Sequence, residues 1–269
     1  MQDVGHSARF AFCDPIDFGD LAWVIDWVAD VTGQPALFSW MHPTTGRRRK
    51  TRTRQAALDA VADGAVVSLW MEPDDDTYDA EWQASIHPTT NVGKGAPQIT
   101  WNWRALAPSG PPIMPPDRDR EEWLEHLRRL AVRLSVRVGY VGGHTPGTAH
   151  LFRVNREVFG VDALDKLSGY QWLTVLDGSL YEVLMQHREL PQFPWFEATT
   201  HPTADGGRVH WLRATREPGE MTPELWSRLR SFFEPLLPPQ AELQPRHLIF
   251  GWNCYAPEDV VDLPATTDP

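Results

Sequence analysis

The sequence predicts an α+β protein built from two related half-domains, each an antiparallel sheet backed by helices, on a duplicated ferredoxin-like split β-α-β plan. Three observations predict it. Trp82-Gln83-Ala84-Ser85-Ile86-His87-Pro88-Thr89 returns 114 positions later as Phe196-Glu197-Ala198-Thr199-Thr200-His201-Pro202-Thr203, and an internal repeat constrains a fold more than local propensity does. The next segment returns too: Trp101-Asn102-Trp103-Arg104-Ala105 is answered by His210-Trp211-Leu212-Arg213-Ala214, and each copy then passes through prolines into an amphipathic helix. After Trp172 the pattern reads strand, helix, strand, strand, helix, strand, the order of a ferredoxin-like unit. With 269 residues, 42% of them hydrophobic, the chain can bury two cores of about 130 residues each. The halves are expected at 1–140 and 141–269, packed closely together.

In chain order, Ala8 to Phe12 reads as a first strand. Asp17 to Val31 reads as a helix with Leu21, Ile25 and Val28 on one face and Gly33 as its stop. Ala36 to Met41 is a strand ending in His42-Pro43-Thr44, a weaker echo of the His-Pro-Thr turn. Gly46 to Arg54 reads as a basic loop. Arg54 to Asp63 is a short helix closed by Gly64, and Ala65 to Met71 an apolar, buried strand. Trp82 to His87 and Gln98 to Leu106 form a hairpin, because a residue before proline is driven toward extended geometry and marks a strand end. Asp117 to Leu134 is the clearest helix, with Trp123, Leu127, Leu130 and Leu134 at one-face spacing. Val136 to Gly143 is a strand. In the second half the strands are Tyr170 to Leu176, Phe193 to His201, Arg208 to Thr215 and Arg246 to Phe250. The helices there are Gly178 to His187 and Thr222 to Leu236, the latter opened by an N-cap threonine, a first-turn proline and an acid.

Composition narrows the function. The net charge is −11, and Gly46 to Arg54 holds six Lys/Arg and no acid, so removing those six cations leaves −17 on the rest of the chain. General nucleic-acid binding is not expected, since phosphate recognition needs a broad basic surface; a basic protein partner is. Two cysteines, Cys13 and Cys254, provide neither a disulfide framework nor a metal-type C-x-x-C pair. No export signal or membrane-length apolar run is visible, and a cytoplasmic location is expected.

Each catalytic or cofactor template fails at a named residue. The acidic run Glu72 to Glu81 has Tyr78, Asp79 and Ser85 where an EF-hand loop starting at Asp74 needs an acid or amide, a glycine and a glutamate. The glycine-rich turn Gly142 to Thr148 has Thr148 in place of the phosphate-binding lysine and Ala149 in place of the magnesium-binding hydroxyl. His187-Arg188-Glu189 lacks the paired cysteines of a zinc deaminase. His42, His87 and His201 are explained as neutral turn residues without a metal. No catalytic residue, metal or cofactor is expected.

From Glu121 to Leu184 the chain resembles a bacterial family of type VI secretion immunity proteins, long catalogued as a domain of unknown function. Three features carry the resemblance: the helix Glu122-Trp123-Leu124-Glu125-His126-Leu127 running to Leu134; Gly139-Tyr140-Val141-Gly142, similar to the family's Gly-Tyr-x-Gly; and Gln171-Trp172-Leu173-Thr174-Val175-Leu176, similar to its Trp-Leu-Thr-x-Leu strand. The motifs span about a quarter of the chain. The resemblance implies an immunity protein that neutralises a cognate toxin domain by stoichiometric binding, with no catalytic residues to carry over. Family members facing periplasmic toxins are expected to carry an export signal, so this toxin is expected to act in the cytoplasm.

The expected partner contact is the acidic segment Asp74, Asp75, Asp76 and Asp79, whose summed potential draws in a toxin with a basic face. The alternative function is an enzyme or small-ligand-binding protein with a site between the halves, in a groove around Trp101, Trp103, His201 and Trp211. A structural or adaptor role is the third.

Overall fold

The computed structural model describes residues 5–33, 36–41, 45, 47–63, 68–74, 82–87, 97–103, 117–144, 167 and 170–237. In order they form β1 (Gly5–Ala11), α1 (Phe18–Thr32), β2 (Ala36–Met41), β3 (Arg48–Thr51), α2 (Arg54–Ala62), β4 (Leu69–Pro73), β5 (Trp82–His87), β6 (Gln98–Trp103), α3 (Asp117–Arg133), β7 (Val138–His144), β8 (Leu173–Asp177), α4 (Gly178–Met185), β9 (Glu197–Pro202), β10 (Arg208–Arg213) and α5 (Pro223–Phe233). Mixed helix and antiparallel sheet is the observed class. The strands join in one ten-stranded sheet, ordered β3-β2-β4-β5-β6-β1-β7-β8-β10-β9, with every neighbouring pair antiparallel.

The two separate sheets expected of two halves are therefore one. The reason lies at the centre, where β1 pairs with β6 on one side and β7 on the other, and β7 in turn pairs with β8. The boundary expected at residue 140 falls inside β7. Both repeated segments do run strand, strand, helix: β5-β6-α3 and β9-β10-α5. Their surroundings differ, since β5 has β4 beside it while β9 is the outer edge. Order alone does not make them copies. The basic segment, expected as a loop, contributes β3, an edge strand of exposed Arg48, Arg49 and Lys50. The strand expected over 246–250 lies outside the described residues, and beside β8 the sheet has β7.

The order contains three split β-α-β units: β3-α2-β4 around β2, β6-α3-β7 around β1, and β8-α4-β9 around β10. Crossovers between parallel strands are right-handed. Both β6 and β8 step toward the β9 edge but run in opposite directions, so α3 and α4 belong on opposite faces of the sheet. The contacts agree. Trp211 lies on one face of β10, under Arg128 of α3 with 5.1 Å from guanidinium carbon to ring centroid. The adjacent His210 faces the other way and stacks on Tyr181 of α4, centroids 3.6 Å apart. α1 packs against both α2 and α3, and its Trp27 meets Trp101 of β6 edge-on at 5.0 Å.

Local chemistry sets the boundaries. Asp17 caps α1 by accepting from the Asp20 N–H, and Gly33 ends it at φ 62°, a left-handed conformation that costs glycine nothing. Asp177 caps α4 through the Leu180 N–H and Thr222 caps α5 through the Leu225 N–H, each satisfying an otherwise orphaned donor. The α5 face buries Trp226, Leu229, Phe232 and Phe233, and Leu225 packs against it half-buried. The three motifs of the resemblance all fall in the core: Trp123, Leu127 and Leu130 on α3, Tyr140 and Val141 on β7, and Trp172 to Leu176 at β8.

Candidate functional site

The acidic and basic segments, well separated in sequence, meet in space through the pairing of β2 with both β3 and β4. Arg48 bonds Glu72 at 3.1 Å with Lys50 at 3.7 Å from the same carboxylate, and Arg52 grips Asp74 at 2.7 and 2.9 Å. The basic segment therefore neutralises the start of the acidic run locally, through solvent-exposed pairs each worth less than about 1 kcal/mol. Asp75, Asp76 and Asp79 lie outside the described residues.

The expected aromatic groove is not assembled among the described residues. Trp101 and Trp211 are each 1% exposed and point to the same sheet face, but β6 and β10 stand four strand spacings apart, about 19 Å at the usual spacing. Both are core residues beneath helices. His201 sits on the outer strand β9, hydrogen-bonded to the Thr199 hydroxyl at 3.0 Å. Burial holds its pKa down, helped by the Arg128 charge and opposed by Glu197 and Glu125. The side chain of Trp103 and all of His42 lie outside the described set. His87 bonds the Ser68 hydroxyl at 2.7 Å on β5, six strand positions from His201. Among the described residues no group of three or more His, Cys, Asp or Glu is placed to hold a metal.

What the structure does bring together is a lattice of arginines between α3 and the β9-β10 hairpin. Arg213, 1% exposed, lies between the rings of Trp172 and Phe196 at 5.1 and 4.9 Å. It makes a two-pronged bond to Glu121 at 3.0 and 2.8 Å and donates to the Arg216 carbonyl. The bond from Arg213, with the charges of Arg213, Arg120 and Arg216, holds the Glu121 carboxyl below its usual range against a smaller desolvation penalty. Arg120 pairs with Glu217. Arg128 joins Glu125 on its own helix at 2.8 Å to Glu197 on β9 at 2.7 Å. The lattice fastens the outer hairpin to the helix layer, with Phe196, 53% exposed, at its rim.

A buried cation is costly once its partner is gone. Glu121→Ala is expected to destabilise by about 2 kcal/mol, below the usual range for a broken buried pair because the Glu121 side of the pair is half-exposed and water can enter. Arg213→Met removes the charge while filling the space between the two rings, and is expected to cost less than Glu121→Ala. Urea unfolding of both variants checks the order; a larger loss for Arg213→Met contradicts it.

A cleft of about 500 Å³ opens where β8 passes into α4, lined by Asp177, Ser179, Glu182, Thr203, Asp205 and Arg208 among others. Its acids are largely committed to the chain itself. Asp177 caps α4 and pairs with Arg137. Asp205 accepts from the Thr203 hydroxyl and the Gly207 N–H, which hold its carboxyl below the usual range. Gly206, at φ 84°, closes this turn in a conformation other residues resist.

Beside the cleft, His210 is 7% exposed, and its Nδ1 lies 3.0 Å from the Thr200 hydroxyl. Burial, then the Arg208 charge, pushes its pKa down to about 4 while Asp177 opposes. The folded value lies below the ordinary unfolded value of about 6.5, so the unfolded chain takes the proton first. This contribution to stability is complete above pH 6.5 and is lost as pH falls from there through 4, a decline on the order of 3 kcal/mol. Thermal melts across that range should show the decline, and His210→Gln should flatten it.

No family model matches the chain, and no curated protein sequence matches it. Among solved structures, the Pseudomonas aeruginosa T6SS protein PA0821 is similar over 88% of this chain and 73% of its own, with 13% identity and a TM-score of 0.54. A second, weaker likeness is to the toxic C-terminal tip of CdiA from Pseudomonas aeruginosa in complex with immune protein: 7% identity, 53% of this chain, 86% of that one and a TM-score of 0.32, a level that carries no argument. The first likeness is one of fold: this chain shares the overall architecture of a T6SS protein.

Proposed function

We propose that this chain is an immunity protein that neutralises a cognate bacterial toxin by stoichiometric binding in the cytoplasm. One observation carries the reading: the three motifs that resemble the type VI immunity family occupy the core of a fold shared with a T6SS protein. Trp123 lies on the buried face of α3, Gly139 leaves room for the Phe10 ring, and Trp172 lies under the Arg213 guanidinium. The partner is a toxin domain with a basic face, attracted by the net charge of −11.

Co-expression tests it. The expected partner is a toxin domain encoded by a neighbouring gene: expressed alone it should stop growth, and together with this chain it should not; unchanged killing, or neighbouring genes without such a domain, overturns the proposal. The acidic segment adds to this long-range attraction, separately from the surface that makes contact. Replacing Asp74, Asp75, Asp76 and Asp79 with Asn should slow association several-fold at low salt, with the difference shrinking near 1 M salt, where the Debye length is about 3 Å. An unchanged association rate at low salt removes the segment from the account.

A further inference from the structure

Among the described residues the sheet has two outer strands, β3 and β9, and they are finished differently. An outer strand offers unpaired N–H and C=O groups to any other chain, and proteins blunt that hazard with charges, lysine above all. On β3, Arg48, Arg49 and Lys50 are exposed along a four-residue strand. On β9, Ala198 and Thr200 are exposed, no lysine or arginine occurs between Glu197 and Pro202, and Phe196, just before the strand, is half-exposed. Among the described residues, one edge is guarded and the other has no neighbouring strand.

The hydrogen-bond parity shows which groups of β9 are available. In an antiparallel ladder, alternate residues turn both backbone groups toward a given neighbour. The Ala214 N–H donates to the Trp172 carbonyl on the β8 side, and the Thr203 N–H donates to the Gly207 carbonyl across the hairpin turn. With Arg213 opposite Glu197, Trp211 opposite Thr199 and Val209 opposite His201, both observations assign Glu197, Thr199 and His201 to the bonds with β10. The N–H and C=O of Ala198 and Thr200 then face outward. Pro202 has the same parity, where its missing N–H costs the ladder nothing.

We infer that the open edge of β9 is where the toxin docks, by adding an extended segment of its own as an eleventh strand. The inference rests on the proposed immunity function and names the surface that performs it. Two outward donors, at Ala198 and Thr200, and the carbonyls of Ala198, Thr200 and Pro202 fit a short antiparallel or parallel segment. Charge favours a foreign partner over a second copy, because self-pairing at β9 brings together two chains of −11 each, whereas a basic toxin is attracted. The lattice of Arg213 and Arg128 holds the strand rigid beforehand, which lowers the ordering cost of binding.

The test uses the full chain and the toxin domain that the co-expression experiment identifies as neutralised by it. Ala198→Pro deletes an outward donor and leaves the bonds to β10 in place. It is expected to keep the melting temperature and weaken toxin binding at least tenfold. Hydrogen exchange of the unaltered protein gives a second readout: the Ala198 and Thr200 amides should exchange fast in the free chain and slowly in the complex. Tight binding by folded Ala198→Pro, or unprotected amides in a complex that does form, overturns the edge inference and leaves the immunity function standing. Absence of any binding by the unaltered chain overturns both. A concentration-dependent dimer in sedimentation that Ala198→Pro abolishes assigns the edge to a second copy and overturns the toxin as its occupant.

Discussion

Trp211→Ala is expected to cost about 3–5 kcal/mol of folding stability, the range for truncating a large buried aromatic. The side chain is 1% exposed and stands on β10 between Val175 of β8 and Thr199 of β9. Truncation leaves a void the surrounding strands cannot close, because their spacing is set by the ladder. It also removes the ring under Arg128, a contact worth about 0.5–1 kcal/mol more. Trp101→Ala should behave alike, since Trp101 is equally buried and meets Trp27 edge-on. Denaturant unfolding measures both. A ligand groove would give the opposite pattern, with near-native stability and a change only in binding.

Gly139→Val is expected to destabilise by about 3 kcal/mol or more, the upper end for forced overpacking. A Cβ at position 139 would lie 2.4 and 2.6 Å from two ring carbons of Phe10 and 3.2 Å from Val175. Gly139 is opposite Phe10 on β1 and Val175 on β8, so the ring lies across the strand that joins the two sides of the sheet. Phe10 is 1% exposed and has nowhere to swing. Adding Phe10→Ala should recover part of the loss, a coupling that a double-mutant cycle reads directly. Full additivity would mean that the ring and the glycine do not constrain each other. The glycine of the motif that resembles the immunity family is thus explained by packing.

These residues also show how far the sequence can be read. The helices are legible because their apolar positions recur at helical spacing and their caps are local: Asp17, Thr222 and Gly33 act within four residues of themselves. β3 is not legible, because Arg48-Arg49-Lys50-Thr51 has no apolar alternation and its pairing comes from β2 alone. Trp101 and Trp211 group as a groove on residue type, although Ile99 and Trp101 two apart on β6 already carry the alternation of a buried face. The arginine lattice has no signal in the chain, because Glu121 and Arg213 are 92 positions apart and no local period links them. The open edge of β9 is equally hidden. Which strand ends a sheet depends on the joining of β1 to both β6 and β7, a long-range event that strand patterns do not record.

Stoichiometric neutralisation of a toxin is tested most directly by titration calorimetry of this chain into the purified toxin domain, followed by assay of the toxin's activity in the same samples. Saturation is expected at one chain per toxin, with activity falling in proportion and no turnover of the toxin's substrate by this chain. Full toxin activity in the presence of excess chain, or suppression by a small catalytic fraction of it, would contradict an immunity role by binding.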